Sequence, residues 1–345
     1  MLFSLIFVVY LSLFDFDNHR YTIMLKGMIE MICKTQKPQK IEFKRVASIW
    51  LQRNRIRWKA STYSKYYHIV YDVLSEIIGE CDVSSINSMQ VQLFANEMFE
   101  NGFEVMTVKE YINVINCIID FAHQEGYNAS EKVRIVYPKR KNKEIQILSK
   151  KDQLKFVRYL SQDIDLPKLG ILFALYTGIR CGELCALKWS DINLEDKTVT
   201  INKTIQRIQC RGDNEAAKTK VIIMPPKTDK SNRIIPIPDF LIEKLLLYAC
   251  DQSSFFLTGS SEQYIEPRTM QNKFNKYISK SGITKIKFHA LRHTFATRCI
   301  ELGFDIKSLS EILGHANVGI TMNLYVHSSF DLKIENMNKL NQIAV

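Results

Sequence analysis

Arg180 stands in the segment TGIRCGEL, directly after a glycine and at the start of a new helical run. A planar guanidinium can hold a phosphate group through paired hydrogen bonds. Glu183 follows three residues later and is expected to orient Arg180 as its ion-pair partner. Taken alone, an arginine next to a glycine turn is more often a surface ion pair, so this motif predicts phosphate binding only in combination with others.

A second cationic motif, HALRHTFAT, places His289 and Arg292 three residues apart. On a helix this spacing puts both side chains on one side, which predicts a second phosphate clamp. The apolar stripe that begins at Leu291 and ends at Leu302 is expected to face the core. His293 directly follows Arg292 on the same predicted helix, and we expect it to pack beneath that arginine as a structural histidine.

The segment ILGHANVGITMNLYVH adds a further histidine and a tyrosine. Gly314 is where a helix is expected to end, His315 follows it, and Tyr325 lies on a predicted short helix ten residues later. A tyrosine there also fits an amphipathic core position. Two arginines, two histidines, a tyrosine and a lysine from the segment PPKTDKSNRIIPIP nevertheless form a set suited to phosphodiester cleavage without a metal ion.

These motifs, in this chain order, resemble those of the tyrosine recombinase (phage integrase) family, most of all the integrases of conjugative transposons and temperate phages. The resemblance covers about residues 41–345 and is strongest from 148 onward. It places the family's strand-turn lysine at Lys227, with Lys230 as the less favoured choice. The catalytic residues that the resemblance implies are Arg180, Lys227, His289, Arg292, His315 and Tyr325.

The resemblance implies a site-specific recombinase in which Tyr325 attacks a DNA phosphate and leaves a 3′-phosphotyrosine link and a free 5′ hydroxyl. Tyrosine has a pKa near 10, so it needs a proton acceptor at neutral pH, and His289 is the candidate as general base or phosphate donor. Arg180 and Arg292 are expected to neutralise the charge that grows on the non-bridging oxygens.

Two proton donors complete the expected site. Lys227 is expected to protonate the leaving 5′ oxygen, and His315 is expected to donate a hydrogen bond to the same phosphate. Because one ester replaces another, religation needs no ATP. The resemblance implies no metal and no other cofactor, and Cys181 and Cys185 lack the histidine or second cysteine pair that a zinc site requires.

Other functions stay open at this point. A metal-dependent transposase needs three carboxylates around two cations, and the second domain shows no such spaced acidic set beside a core strand. A resolvase of chromosome or plasmid dimers uses the same chemistry, but such chains are usually shorter. A degenerate relative that binds sites without cutting is a third alternative, against which the intact residue set argues.

The chain of 345 residues carries 47 basic and 36 acidic residues and a net charge of +11, which predicts a polyanionic partner such as double-stranded DNA. Residues 43–65 contain no acidic residue, and the linker that follows the first domain reads YPKRKNK. A basic run is often only a solvated face, but its length here favours phosphate contact. The predicted DNA-contacting residues are Lys44, Arg45, Arg53, Arg55, Arg57, Lys59, Lys65, Lys139, Arg140 and Lys141.

Apolar periodicity predicts a mainly α-helical chain. We expect a small all-helical core-type DNA-binding domain over 41–136, a basic linker over 137–147, and a catalytic domain over 148–345 whose tail starts at about 330. The catalytic domain is expected to be mixed and mainly helical, with a small antiparallel sheet of three strands between 197 and 238. Its first helix should begin at Ser149, with Leu154, Val157 and Leu160 facing the core.

Residues 1–40 form an apolar amino-terminal segment to which the sequence assigns no domain type. The uncharged run over 1–14 is too short for a membrane helix and lacks the basic start and cleavage site of a signal peptide, and Met24 or Met28 is an alternative start. This segment is also too short for a domain that binds distal arm sites. A cytoplasmic, nucleoid-associated protein without membrane contact is expected, which assembles as a homotetramer on paired attachment sites, with an accessory DNA-bending or excision factor as a further partner.

Overall fold

The computed structural model describes residues 40–139, 145–210, 219–225 and 232–325, with residue 334 and residues 337–342 near the carboxyl end. The chain forms two compact units, one within residues 1–142 and 209–218 and the other within 143–208 and 219–345. The predicted residues Arg140, Lys141, Lys227 and Lys230, and the apolar segment over 1–39, lie outside the described residues.

The first unit is helical. Its helices are α1 (Phe43–Asn54), α2 (Ala60–His68), α3 (Ser75–Ile78), α4 (Ser88–Glu100) and α5 (Val105–Gln124), with a π-helical segment (Ile69–Leu74) between α2 and α3. The long helix α5 buries one apolar face, including Ile115, Ile118 and Ile119, because these residues recur at helical spacing. Helix α4 packs against this helix within the same core.

The second unit is also mainly helical. Its helices are α6 (Lys150–Leu160), α7 (Leu166–Thr177), α8 (Cys181–Ala186), α9 (Asp239–Leu247), α10 (Pro267–Ser281), α11 (His289–Glu301), α12 (Ile306–Leu313) and α13 (Val318–Tyr325), with 3-10 turns at Trp189–Asp191 and Lys339–Gln342. Helix α7 is apolar on nearly all sides and is therefore the central buried helix. Helix α11 packs against it.

Among the described residues between α8 and α9, five short strands are present. They are β1 (Ile192–Asn193), β2 (Thr198–Ile201), β3 (Thr204–Gln209), β4 (Thr219–Met224) and β5 (Arg233–Pro236). Strands β1, β2 and β5 form one antiparallel sheet, in which Val199 pairs with Ile235, while β3 and β4 pair separately. The prediction of a single three-stranded sheet was therefore wrong, because the chain leaves the first sheet after Ile201 and returns to it only at Arg233.

Two apolar positions that we expected in the core are exposed. Leu154 is 68% exposed, because the buried face of α6 is formed by Phe156 and Leu160 instead. Leu302 is 77% exposed, because α11 ends at Glu301 and the chain turns away from the core there. Leu291 does face the core as expected. Among the described residues, no helix is both long enough and apolar enough to span a membrane.

Candidate active site

Arg292 is the most buried cation of the site, with 4% of its surface exposed. It lies on the first turn of α11 and donates from Nη1 to the carbonyl oxygen of Gly178 at 2.8 Å and from Nη2 to that of Leu313 at 2.6 Å. Burial, and next the charge of Arg180, lower the pKa of Arg292 to about 9, so the side chain is still cationic at neutral pH. Its guanidinium is thus held in one orientation by two fixed carbonyls.

Arg180 reaches the same turn from another element. It precedes α8 and donates from Nη2 to the carbonyl oxygen of Gly314 at 3.2 Å. Arg180 and Arg292 therefore donate to successive carbonyls, those of Gly314 and Leu313. The Arg180 side chain is 37% exposed, whereas Arg292 is buried, so Arg180 is the more open of the two cations.

Glu183 holds Arg180 as the sequence predicted, but a second arginine shares it. Its carboxylate accepts from the backbone and side chain of Arg180 at 2.9 and 2.7 Å, and from Nη2 of Arg233 at 2.8 Å. Burial alone raises the pKa of a carboxyl group, but the hydrogen bond and charge of Arg233, followed by the charge of Arg180, lower the Glu183 pKa to about 2. The buried carboxylate is thus ionised throughout the physiological range.

Arg233 was missed at the sequence level. It stands in a segment rich in lysine and arginine, where it resembles one more surface cation. The sequence did contain an indication that Arg233 is buried, because side chains alternate between the two faces of a strand and Arg233 shares a face with the apolar Ile235. The pair Ile234 and Ile235 hid that signal, because either isoleucine could have faced the core. The structure buries Ile235 and leaves Ile234 64% exposed.

Two glycines shape the turns that carry these carbonyls. Gly178 ends α7 with a φ of 66°, and Gly314 ends α12 with a φ of 64°, both in the left-handed region that favours glycine. A Cβ on Gly178 would lie 2.5 Å from the ring of Phe295. A side chain at Gly178 is therefore disfavoured twice, by backbone strain and by collision.

Two histidines of α11 line a cavity of about 270 Å³ together with Arg292 and His315. His289 lies at the solvent-accessible start of the helix, and its ring meets that of His293 edge-on at 4.7 Å between centroids. Burial and the charges of His293 and the arginines lower the pKa of His289 to about 4, and burial with the charge of Arg292 lowers that of His293. His289 is therefore neutral at pH 7 and able to accept a proton.

His315 follows Gly314 directly and connects the turn to α13. Its Nδ1 lies 2.8 Å from the hydroxyl oxygen of Thr321, which is fully buried. Burial, and then the charges of Arg292, Arg180 and Arg233, lower the pKa of His315 to about 4. Tyr325 is the last residue of α13, one turn beyond Thr321; its side chain lies outside the described part of the structure.

The basic residues predicted to contact DNA divide into two groups in the first unit. Arg53 pairs with Glu125, Lys65 with Glu110 and Lys44 with Glu42. Arg55 and Arg57 lie in the exposed turn between α1 and α2, where Arg55 stacks over the ring of Tyr63 at 5.6 Å. Among the described residues, exposed positions with no ion pair to an acidic side chain are Arg45, Arg55, Arg57 and Lys139, and Lys59 is also exposed.

The described part of the site joins Arg180, Arg233, Arg292 and Glu183 in one hydrogen-bonded group. Three guanidinium groups and one carboxylate give this group a net charge of +2, and the adjoining histidines are neutral at pH 7. A fixed cationic site beside a neutral imidazole can bind an anionic phosphate and accept a proton from a nucleophile.

Comparison with known proteins supports this description. Residues 146–331 match the model of the Phage integrase family. A protein named tyrosine recombinase XerC-like from Caldanaerobacter subterraneus subsp. tengcongensis is 30% identical over 314 residues, which cover 84% of this chain and 80% of that relative. The matched region of the family model contains Arg180, Glu183, His289, Arg292, His315 and Tyr325.

Two solved structures share the fold. The Tn1549 transposon integrase in complex with transposon right end DNA matches with a TM-score of 0.71 at 20% identity, over 87% of this chain and 100% of its own. A lambda integrase tetramer bound to a Holliday junction matches with a TM-score of 0.61 at 17% identity, over 90% and 88%. The family match and the recombinase relative together show that this chain belongs to the phage integrase family and is a tyrosine recombinase.

Proposed function

We propose that this protein is a site-specific recombinase that integrates or excises a mobile element by cutting and rejoining DNA through a 3′-phosphotyrosine link at Tyr325. The observation that carries the proposal is the convergence of Arg180 and Arg292 on the successive carbonyls of Leu313 and Gly314, directly before His315. Residues separated by more than 130 positions in sequence thus meet at one turn, as a single phosphate site requires.

The two arginines stabilise the pentacoordinate transition state. Attack on a phosphodiester adds negative charge to the non-bridging oxygens, and fixed donors stabilise that charge without reorganising. Arg292 is held by two carbonyls and serves as the rigid donor. Arg180 is partly exposed and supplies the donor nearer the solvent side, where the DNA enters.

Two neutral histidines assist the first step, one as a proton acceptor and the other as a hydrogen-bond donor. His289 accepts the phenol proton of Tyr325, because its low pKa keeps the imidazole unprotonated at pH 7. His315 donates a hydrogen bond to the phosphate. When its Nδ1 accepts the hydroxyl hydrogen of Thr321, Nε2 carries the hydrogen that faces the phosphate.

Lys227 is the proposed acid that protonates the leaving 5′ oxygen, on the strength of the family resemblance, and Lys230 is the alternative. No step of this scheme uses a metal ion or ATP, since the phosphotyrosine ester conserves the energy of the bond that is broken. Strand transfer in the presence of a chelator and without nucleotide tests that part of the proposal: an absolute requirement for magnesium ions or ATP would contradict it.

Assembly follows from the exchange of strands between two sites. We propose a homotetramer on paired attachment sites, in which the tail after about residue 330 packs on a neighbouring protomer. A chain shortened at Ser329 should still bind single sites but lose cooperative binding. Retention of cooperative binding and synapsis by the shortened chain would exclude this exchange.

A duplex that is nicked just beyond the cleavage position tests the chemistry. Cleavage releases a short fragment, so the covalent protein–DNA adduct accumulates and migrates as a slow band in denaturing gels. We expect an adduct from the wild type and none from Tyr325→Phe, with equal DNA binding by both proteins. Absence of an adduct from a wild type that binds its site would instead indicate a DNA-binding relative without catalysis.

A further inference from the structure

Arg233 is a buried cation whose role the proposed reaction does not yet assign. It begins β5 opposite Ile201 of β2, and its side chain is only 5% exposed. Burial of an arginine is costly unless its charge is paired and its hydrogen-bonding groups are satisfied. Its contacts therefore indicate what the arginine holds in place.

Those contacts reach both Glu183, which orients Arg180, and the end of α12, which precedes His315. Arg233 donates to the Glu183 carboxylate from Nη2 at 2.8 Å and from Nη1 at 3.2 Å. From Nε it donates to the carbonyl oxygen of Ile312 at 2.7 Å. One planar side chain thus connects the carboxylate that orients Arg180 with the end of α12.

Gly314 packs directly on this side chain. A Cβ at Gly314 would lie 3.0 Å from Cδ of Arg233 and 3.2 Å from its Nη1. The turn whose Gly314 carbonyl accepts a hydrogen bond from Arg180 therefore packs against the side chain of Arg233. This close approach is independent of the ion pair and places Arg233 beneath the turn that leads into His315.

We infer that Arg233 is a positioning residue that takes up the charge of Glu183 and thereby leaves the charge of Arg180 available to the DNA phosphate. The inference rests on the proposed recombinase chemistry. Without Arg233, the buried Glu183 has Arg180 as its described cationic partner, and the pair is formally neutral. The net charge of the described group then falls from +2 to +1, which weakens phosphate stabilisation.

Loss of the Arg233 charge and simple loss of packing should have different effects on cleavage. Arg233→Met should slow single-turnover cleavage of the nicked duplex by about 10²-fold, because Glu183 then neutralises the charge that Arg180 would offer to the transition state. Adding Glu183→Gln to that variant removes the carboxylate that would otherwise neutralise Arg180, and it restores the net charge of +2. We therefore expect the double variant to cleave at least about tenfold faster than Arg233→Met.

Matched variants keep the test interpretable. Arg207 pairs with Glu266 through two hydrogen bonds at an exposed position of the same unit, so Arg207→Met removes an equivalent ion pair outside the site. Its cleavage rate should stay within about twofold of the wild type. Arg233→Lys retains the charge without the planar fork and should lose no more than about tenfold.

A second readout does not depend on DNA. The charge of Arg233 is one of the causes that lower the His315 pKa, along with burial and the charges of Arg292, Arg180 and His289. NMR titration should show a higher His315 pKa in Arg233→Met than in the wild type, and a return toward the wild-type value in the double variant. Arg207→Met should leave it unchanged.

The outcomes separate this inference from the proposed function. A wild type that forms no adduct contradicts the recombinase chemistry itself. A wild type that forms the adduct, with Arg233→Met cleaving at a similar rate or a double variant no faster than Arg233→Met, overturns the role of Arg233. If Arg233→Met fails to fold, Arg233→Lys decides: a loss of no more than about tenfold in that folded, charged variant supports the role of Arg233, and a greater loss overturns it.

Discussion

This chain contains two groups of arginines that differ in their surroundings, because one group is buried and hydrogen-bonded and the other is exposed to solvent. In the second unit, Arg292 and Arg233 are buried and fixed by carbonyls or by Glu183. In the first unit, Arg55 and Arg57 lie in an exposed turn. A buried cation is fixed before the substrate arrives and interacts strongly in a low dielectric, whereas an exposed cation is screened by salt.

Substitutions in the two groups should therefore change different measured quantities. Loss of a fixed cation should change the rate of cleavage with little change in affinity, because it acts on charge that develops in the transition state. Loss of an exposed cation should change affinity and its salt dependence with little change in the rate of the bound complex.

The largest effect is expected for Arg292→Lys. Lysine retains the charge but cannot donate to both the Gly178 and Leu313 carbonyls while presenting a planar face to the phosphate. Single-turnover cleavage of the nicked duplex should fall by roughly 10²- to 10³-fold, while the Kd for the duplex changes by less than about threefold. A large loss of affinity with an unchanged rate would place Arg292 among the binding residues.

The next effect concerns His289. His289→Gln removes the proposed proton acceptor and should reduce the cleavage rate by about 10²-fold, whereas the same change at the exposed His123 of the first unit should have no effect. In the wild type, the low His289 pKa of about 4 predicts a second-order cleavage rate that is constant within about twofold from pH 7 to pH 5. A steep loss centred near pH 6.5 would indicate an ordinary histidine instead.

A smaller effect is expected for the exposed turn. If Arg55 and Arg57 each contact a phosphate as predicted, changing both to glutamine should lower the slope of log K against log salt by about 1.8, with an unchanged cleavage rate in the bound complex. Arg53→Gln is the matched control, because Arg53 already pairs with Glu125 and should alter the slope less. An unchanged slope in the double variant would remove this turn from the DNA-contacting surface.

The smallest effect is on stability in mild acid. The low pKa of His315 means that the unfolded chain binds protons between about pH 6.5 and pH 4 that the folded chain does not, so stability falls as the pH is lowered through this window. The ionised Glu183 stabilises the fold throughout most of this window, and its contribution is lost only as the pH falls from about 4.5, its ordinary pKa, toward its folded pKa of about 2. The unfolding midpoint should fall by a few degrees from pH 7 to pH 5, and His315→Asn should show a smaller fall.

The motifs of the second unit were predictable because each short spacing corresponds to a local structure. The three-residue spacing of His289 and Arg292 and the glycine before His315 translate directly into a helix face and a helix end. Those local structures, joined with the family resemblance, indicated one phosphate site. The convergence of Arg180 with Arg292 on one turn depends on tertiary packing and became visible only in the structure.

The errors had tertiary causes. Leu154 and Leu302 fit a helical period, but the period says neither which helix face meets the core, as at Leu154, nor where the helix ends, as at Leu302. The number of sheets could not be predicted, since strands of a few residues carry too little alternation to fix their partners. Arg233 went unrecognised for the same reason, because its face in β5 is set by the pairing with β2.

If a fixed cationic site directs Tyr325 to a DNA phosphate, the covalent adduct must be linked through that tyrosine. The adduct formed on the nicked duplex can be digested with nuclease and protease and sequenced by mass spectrometry. We predict a nucleotide joined through its 3′ phosphate to Tyr325. Attachment to another residue, or through a 5′ phosphate, would contradict the account.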